Sequence, residues 1–353
     1  MTSVPRTFAA ALVALGLLAA CTTSQTAGTP ARSSQPGAPA GSSTRATPST
    51  GATPTAANTG ATTASPAATA AAAGKLRVRT VGTLPYPLSR MATATDGSRL
   101  LLLGGLRNNS VSSGDVLAFD AVSDRVRRLG ALEKAVHDTA ATVLRGTVLL
   151  VGGGAATEAS DVQALLGSGA TVRRGALPQP RSDLNAVTIG NTLYVVGGYT
   201  GAADVPEVLA TTDGVHFRVV GRLPVTVRYA AVVAVGTVIW VIGGDHNRAP
   251  TSAVQRIDTV TGRITLAGHL ARPLGHASAW QAADGSVLVA GGALTNTTRT
   301  DAIARFDRSS FALTRVAKLP RPTSDMGVAV LGGVAYLFGG ETTSRITTVV
   351  AVG

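Results

Sequence analysis

Six polar side chains occupy one repeated position of the sequence and could together form a chemical site. Each lies six residues after the leucine of a recurring Leu-Pro turn or of a looser form of that turn. The six are Arg90, Asp138, Asp183, Tyr229, His276 and Asp325. Carboxylates beside imidazole and guanidinium groups can bind charged or hydroxyl-rich ligands, hold a hard cation, or serve as general acid and base. The pattern therefore predicts a ligand-binding pocket wherever the fold gathers these residues.

The same six positions also suit the entrance of a water-filled channel, where polar side chains satisfy water and strand ends. Spacing along the chain does not give the distances between the six side chains, so the sequence assigns no catalytic residue and no metal site. Loops that follow a recurring diglycine are expected to rim the same face. Their polar residues include Arg107, Glu158, Asp245, Asn296 and Glu341.

Cys21 is the second candidate for chemistry and the only cysteine in the chain. It follows an apolar run, residues 8–20, that begins after Arg6 and has the length of a signal-peptide core rather than of a membrane span. The run ends in Leu-Ala-Ala-Cys, which resembles the lipobox of bacterial lipoproteins. The resemblance implies that the Cys21 thiol carries palmitate-type acyl chains after signal cleavage and anchors the protein to the membrane. The alternatives are an ordinary secretory signal followed by a stray cysteine, or a short buried helix.

The segment after Cys21 has the composition of a disordered tether. Residues 22–74 are mostly Ala, Thr, Ser, Pro and Gly and contain no acidic residue. Such a segment buries too little apolar surface to offset the entropy of ordering its backbone. We therefore predict a signal peptide over 1–20, a lipidated cysteine and disordered linker over 21–74, and one folded domain over 75–353.

The folded domain is a repeat. A diglycine follows a short apolar run six times, in steps of 45 to 48 residues, at Gly104, Gly152, Gly197, Gly243, Gly291 and Gly339. Each period contains four short strand-like runs, and we find no helical periodicity. Four strands repeated six times predict the blades of a closed propeller, whose sheets pack face to face and bury both surfaces of their inner strands.

The apolar run before each diglycine, with Leu-Pro-x-Pro ahead of the inner strand, resembles the kelch repeat. The resemblance implies an all-β, six-bladed kelch-like β-propeller. The sequence departs from the kelch pattern because its two tryptophans, Trp240 and Trp280, lie in inner strands. The outer strand instead carries a smaller apolar residue or Phe217, so the likeness extends to the fold but not to any one kelch protein's function.

The two ends of the domain are predicted to share the last blade. Residues 346–350 resemble the third strand of other periods, and residues 75–82 resemble a fourth strand that precedes Leu-Pro. The final blade would then take three strands from the C-terminal end and its fourth from residues 75–82.

Charge narrows the class of partner. The chain has 31 Lys and Arg against 19 Asp and Glu, a net charge of +12. Nucleic-acid binding would require basic runs mixed with stacking aromatics, and these are absent from the sequence. No Gly-Lys-Ser/Thr follows any glycine cluster, so no phosphate loop and no cofactor is predicted.

The sequence thus leaves two functions open for a monomeric, membrane-anchored, extracytoplasmic protein. The first is a binding or scaffolding module for an envelope protein or glycan. The second is an exported carbohydrate-processing enzyme of the epimerase or lyase type, which some exported kelch-like propellers resemble. Its working set would be Arg90, Asp138, Asp183 and His276.

Overall fold

The computed structural model describes residues 76–353, which form strands, turns and bends with no helix. The proposed signal peptide, Cys21 and the linker lie outside the described residues. In chain order the strands are β1 (Val78–Thr83), β2 (Leu88–Ser89), β3 (Ala92–Asp96), β4 (Arg99–Leu103), β5 (Leu106–Arg107), β6 (Asp115–Asp120), β7 (Arg125–Ala131), β8 (Ala140–Leu144), β9 (Thr147–Val151), β10 (Asp161–Leu165), β11 (Thr171–Ala176), β12 (Asn185–Ile189), β13 (Thr192–Val196), β14 (Glu207–Thr211), β15 (Arg218–Arg222), β16 (Ala231–Val235), β17 (Val238–Ile242), β18 (Asp245–His246), β19 (Ala249–Pro250), β20 (Ala253–Asp258), β21 (Ile264–His269), β22 (Ser278–Gln281), β23 (Val287–Ala290), β24 (Ala302–Phe306), β25 (Leu313–Lys318), β26 (Gly327–Leu331), β27 (Val334–Phe338) and β28 (Thr348–Val352).

Twenty-four of these strands form six four-stranded antiparallel sheets, which are the blades. Blade 1 is β3-β4-β6-β7, blade 2 is β8 to β11, blade 3 is β12 to β15, blade 4 is β16-β17-β20-β21, blade 5 is β22 to β25, and blade 6 is β26-β27-β28-β1. The other four strands form the two-residue pairs β2-β5 and β18-β19 in the loops. The predicted all-β six-bladed propeller is confirmed.

Blade 6 closes the ring in the predicted way. Strand β1 from the N-terminal side pairs antiparallel with β28, from Val78 opposite Val352 to Thr83 opposite Thr348. Strand β28 lies between β1 and β27, so the blade takes three strands from one end of the domain and one from the other. The outer strand spans 78–83, close to the expected 75–82.

The core lies between the blades. The second strand of each blade is buried on both faces, as in β4, where Leu100 to Leu103 are almost fully covered. Six apolar clusters result, one at each interface between neighbouring blades. Full burial of one such leucine contributes about 1.5–3 kcal/mol, so these interfaces hold the ring together.

The diglycines are required by the crossing of two chain segments. Gly104 and Gly105 both have positive φ, and a Cβ on Gly104 would overlap the carbonyl oxygen of Val136 in the segment that enters the next blade. The first glycine of the other five diglycines meets the equivalent carbonyl in the same way. Each diglycine thereby holds the segment from which the next blade's first strand starts.

The first strands of the six blades surround a central channel. A cavity of about 210 Å³ within it is lined by residues of all six blades, with Thr93, Thr139, Asn185 and Ser278 among them. Residues 76–353 contain no helix that is long and apolar enough to cross a membrane.

Candidate functional site

Six residues form a closed circle at one mouth of the channel. They are Arg90, Asp138, Asp183, Tyr229, His276 and Asp325, called the ring residues below, and each comes just before the first strand of a blade. Each donates its backbone N–H to the carbonyl oxygen of the ring residue of the preceding blade, over 2.8 to 3.1 Å. The bond from Arg90 to Asp325 completes the circle, so the backbone brings together all six residues singled out in the sequence.

The ring residues share an unusual backbone conformation. All six have φ between 50° and 58°, in the left-handed region that favours glycine. Asp and His are among the residues that tolerate this region, but Arg90 and Tyr229 have no such preference. Residues kept in sparsely populated conformations cluster at functional sites, which favours a role for these side chains beyond forming the circle.

Arg90 closes the middle of the mouth. It precedes blade 1, yet its Nη1 lies 3.2 Å from the hydroxyl oxygen of Tyr229, which precedes the opposite blade. The same nitrogen is 3.4 Å from Asp138 Oδ2, and Nε donates to Glu341 Oε1 over 3.0 Å. The guanidinium therefore crosses the channel axis and links four blades. Burial opposes its charge, but Asp138, Asp325 and their neighbours outweigh that cost and raise the pKa of Arg90.

His276 is held between two carboxylates. Its Nδ1 lies 2.6 Å from Asp325 Oδ1, and its Nε2 lies 3.2 Å from Asp245 Oδ2. The imidazole also stacks on the Tyr229 ring, with 4.1 Å between centroids. Burial favours neutral imidazole, but the two carboxylates outweigh burial and raise the pKa of His276 to about 10. At neutral pH His276 is therefore a buried cation.

The three ring aspartates differ in their affinity for a proton. Burial raises the pKa of Asp138 and Asp183, the latter to about 7 because the nearby Asp138 carboxylate adds to the effect of burial. Burial also acts on Asp325, but His276 and Arg90 outweigh it and lower the pKa of Asp325. One side of the circle thus holds an ion pair, and the other holds carboxyl groups that titrate much closer to neutral pH.

These groups are enclosed rather than dispersed in solvent. The side chains of Asp138 and Asp325 are 7% and 4% exposed. A cavity of about 110 Å³ is lined by all six ring residues on the channel side. A second cavity of about 270 Å³ lies on the loop side, where Asp245, Arg248, Asn296 and Arg299 join four ring residues. This arrangement favours a pocket over a solvated channel entrance.

One buried acceptor beside the loop-side cavity has no partner. Asp245 is 7% exposed, and its Oδ1 makes no hydrogen bond within residues 76–353, whereas its Oδ2 contacts His276. An unpaired buried polar atom costs roughly 1–3 kcal/mol. Because this oxygen is shielded from solvent and lies against Gly275, the carboxylate is positioned by the contact of its Oδ2 with His276.

Sequence spacing located the ring residues but missed the contacts that organise them. Asp245 was expected on the rim, and the structure places it against His276. Glu341 was also expected on the rim; its carboxylate contacts Arg90, and Arg299 and Arg345 lie within 3.9 Å and 3.5 Å of it. Both acids come directly after a diglycine, at the position that pairs with the residue just before a ring residue. That repeated pairing is the signal that could have found them.

Two further observations bound the chemistry. The 76–353 region contains no cluster of three or more His, Cys, Asp or Glu residues arranged to hold a metal ion.

His137, which precedes ring residue Asp138, contacts Ser112 through Nδ1 over 2.8 Å, and its pKa is lowered by burial and then by Arg90. His137 is thus a neutral group beside the circle, in contrast to charged His276.

Known proteins share the motif and the fold. The kelch motif matches residues 180–209 and 227–263, which lie in blades 3 and 4. A kelch domain-containing protein, SSO1033 of Saccharolobus solfataricus, is 30% identical over 125 residues, which are 34% of this chain and 17% of that protein. The structure of YjhT superposes with a TM-score of 0.66 and 16% identity, covering 76% of this chain and 96% of that one. The chain is thus a six-bladed propeller with kelch motifs, a fold that suggests a binding or scaffolding module.

Proposed function

We propose that the full chain is a lipid-anchored extracytoplasmic protein whose propeller binds a glycan of the cell envelope at the channel mouth. Lipid on Cys21 would hold the chain at the membrane, and residues 22–74 would let the propeller reach the glycan. The support for this part of the proposal is the lipobox-like sequence and the composition of the segment after it.

The observation that carries glycan binding is the loop-side cavity, where charged and amide side chains converge with four ring residues. Sugar hydroxyls donate and accept hydrogen bonds, and the cavity offers both an acceptor at Glu341 and donors at Arg248, Asn296 and Arg299.

A glycan fits these features better than a partner protein does. Stable protein interfaces bury about 800 Å² on each partner, spread over a broad surface. Here the polar groups converge inside a concavity of about 270 Å³, close to the lower limit of roughly 300 Å³ for small-ligand sites. The size suits one or two sugar units entering the mouth.

Binding is tested by exposing the full chain to an array of neutral and uronic-acid-bearing oligosaccharides. We expect wild type to retain at least one class and the double variant Asp245→Asn/His276→Gln to bind it at least tenfold more weakly. Asp258→Asn, on the opposite end of the propeller, is the matched control and should bind like wild type. Equal retention by wild type and the double variant, or no retention of any oligosaccharide by wild type, would contradict the proposal.

A specific observation also favours the carbohydrate-processing enzyme. His276 bridges Asp325 and Asp245, and the pKa of Asp183 is raised to about 7, so the mouth contains both a charged acid and a carboxyl group able to exchange protons near neutral pH. An epimerase or lyase removes a carbon-bound proton from its substrate. Incubating the retained glycan with the protein in D₂O would reveal such proton removal in the NMR spectrum, as deuterium incorporation or as a new double bond. Neither signal should appear with Asp183→Asn. An unchanged spectrum would leave glycan binding as the function.

The anchor is tested separately. Wild type expressed in a lipoprotein-processing bacterium should incorporate labelled palmitate and partition into Triton X-114, whereas Cys21→Ser should do neither. Aqueous partitioning of wild type would disprove lipidation without affecting the proposal for the channel mouth.

A further inference from the structure

Another cavity lies away from the channel, at the side of blade 5. It measures about 360 Å³ and lies between the segment that enters blade 5, residues 270–274, and the strands β23, β24 and β25. We call it the side pocket. It is larger than either cavity at the channel mouth, and none of its lining residues belongs to the ring.

The side pocket exists because blade 5 has alanine at one repeated position. The third strand of each blade has one residue that pairs with the middle of the second strand and faces the segment that enters the same blade. In blade 5 this residue is Ala304, which pairs with Val289. The equivalent residues of the other blades are all larger: Leu117, Gln163, Leu209, Gln255 and Val350. In blade 4, Gln255 reaches the entering segment, accepting from Val225 N and donating to Val225 O over 2.9 Å each.

Blade 6 shows that the volume follows the side-chain size. Its equivalent space is lined by Val350, Thr348 and Ile346 and measures about 130 Å³. The corresponding residues of blade 5 are Ala304, Ala302 and Thr300, and the volume rises to about 360 Å³. The side pocket is therefore the space that larger side chains fill or narrow in other blades, and empty apolar volume of this size destabilises a fold unless something occupies it.

The lining of the side pocket is apolar inside and basic at the edge. Leu270, Leu274 and Val289, with two further leucines, provide the apolar surface. Arg272 lies at the exposed edge and forms no ion pair within the described part of the chain. The other arginine, Arg315, is 3.0 Å from Asp301 and is thereby largely neutralised. An occupant should accordingly combine an apolar body with one negative charge.

From this geometry we infer that the side pocket binds a medium-chain aliphatic carboxylate, with its alkyl chain beside Ala304 and its carboxylate on Arg272. The volume lies within the range of about 300–1,000 Å³ typical of small-ligand sites. A dry apolar cavity readily accepts a hydrocarbon chain, and a guanidinium binds a carboxylate through two parallel hydrogen bonds. This ligand is chemically distinct from a glycan, so the side pocket would give the propeller a second, independent site.

Calorimetric titration of the full chain carrying Cys21→Ser, which needs no detergent, tests the inference. We expect octanoate to bind, and acetate and octylammonium to bind at least tenfold more weakly because they lack the chain and the negative charge. Adding Ala304→Leu, which restores the residue of blades 1 and 3, should abolish octanoate binding and raise Tm. Adding Arg272→Gln should weaken octanoate at least fivefold without changing Tm.

Several outcomes would overturn the inference. Octanoate binding unchanged by Ala304→Leu would place the ligand elsewhere, and octylammonium binding as tightly as octanoate would remove the role of Arg272. Absence of octanoate binding to the parent chain would show that the side pocket takes no such ligand. If Ala304→Leu fails to fold, Arg272→Gln on the exposed edge still decides the question.

Discussion

At the end of the propeller opposite the channel mouth, four of the turns between third and fourth strands repeat both their backbone and their side chain. Asp120, Asp213, Asp258 and Asp307 each accept two backbone N–H groups through Oδ1. At the mouth, the six ring residues repeat their backbone just as closely, but four different side-chain types occupy the position. A position that repeats both its backbone conformation and its side chain indicates a structural role. A position that repeats its backbone but varies its side chain indicates a role in ligand binding or catalysis.

The largest expected effect comes from opening the closed ring of six blades, which holds both ends of the propeller in place. Deleting residues 346–353 removes β28, whose Val349 to Val352 are buried between β1 and β27. We expect cooperative loss of the whole propeller because both neighbours of the missing strand lose their pairing. Circular dichroism on heating measures this, with Val122→Ser, a change at a fully exposed residue, as control. A deletion variant with wild-type Tm would show that blade 6 is not needed for closure.

The second effect concerns the central cation of the mouth. Arg90→Met keeps a long side chain but leaves Asp138, Asp325 and Glu341 without the guanidinium that contacts them. Removing one partner of a buried ion pair typically costs about 3–5 kcal/mol, so we expect a loss in the free energy of unfolding of at least about 3 kcal/mol in urea. Arg127→Met, on an exposed outer strand, should be close to neutral. Equal stability of the two variants would mean that Arg90 has no structural role at the mouth.

The third effect is pH dependence arising from Asp183. Its pKa is about 7 in the folded protein and near 3.8 when exposed, so the folded state holds a proton that the unfolded chain releases. This contribution to stability is present below pH 4 and is lost as the pH rises to about 7. In Asp183→Asn the free energy of unfolding should fall less over that window than it does in wild type. Above pH 7 the variant should be more stable than wild type by no more than about 4 kcal/mol, since each pKa unit corresponds to about 1.4 kcal/mol.

Chemical denaturation at a series of pH values measures this difference. Asp124→Asn, an exposed acid at a position whose left-handed backbone Asn also tolerates, is the matched control. If the free energy of unfolding of Asp183→Asn changes between pH 4 and 7 with the same slope as that of wild type, then Asp183 is ionised in the folded state. The circle would then have no carboxyl group at Asp183 that titrates near neutral pH.

The smallest effect belongs to the structural end. Asp258→Ala removes two backbone hydrogen bonds at an exposed turn, and we expect Tm to fall by about 2 °C with no change in glycan binding. Asp258→Asn should lower Tm less than Asp258→Ala does, because its side-chain oxygen accepts the same backbone bonds and only the ion pair with Arg256 is lost. A loss of glycan binding in either variant would break the contrast between the two ends.

Spacing along the chain was sufficient for the fold and for the positions of the ring residues. The diglycines and Leu-Pro turns repeat once per blade, so counting from them located Asp183 or His276 without a structure. Counting residues does not predict how far a side chain extends across the channel. Arg90 contacting the opposite blade, and Asp245 contacting His276, depend on how far each side chain extends from the circle. The side pocket is a third case, since it comes from the absence of volume at Ala304 rather than from any motif.

The most direct test follows the imidazole resonances of the full chain by NMR during titration with the oligosaccharide that wild type retains most strongly. His276 lies in the ring, and His216 is exposed at the opposite end beside Asp213. Binding at the channel mouth predicts saturable shifts of the His276 resonances, with those of His216 unchanged. Saturable binding that shifts His216, or that leaves His276 unmoved, would contradict a ligand site at the ring residues.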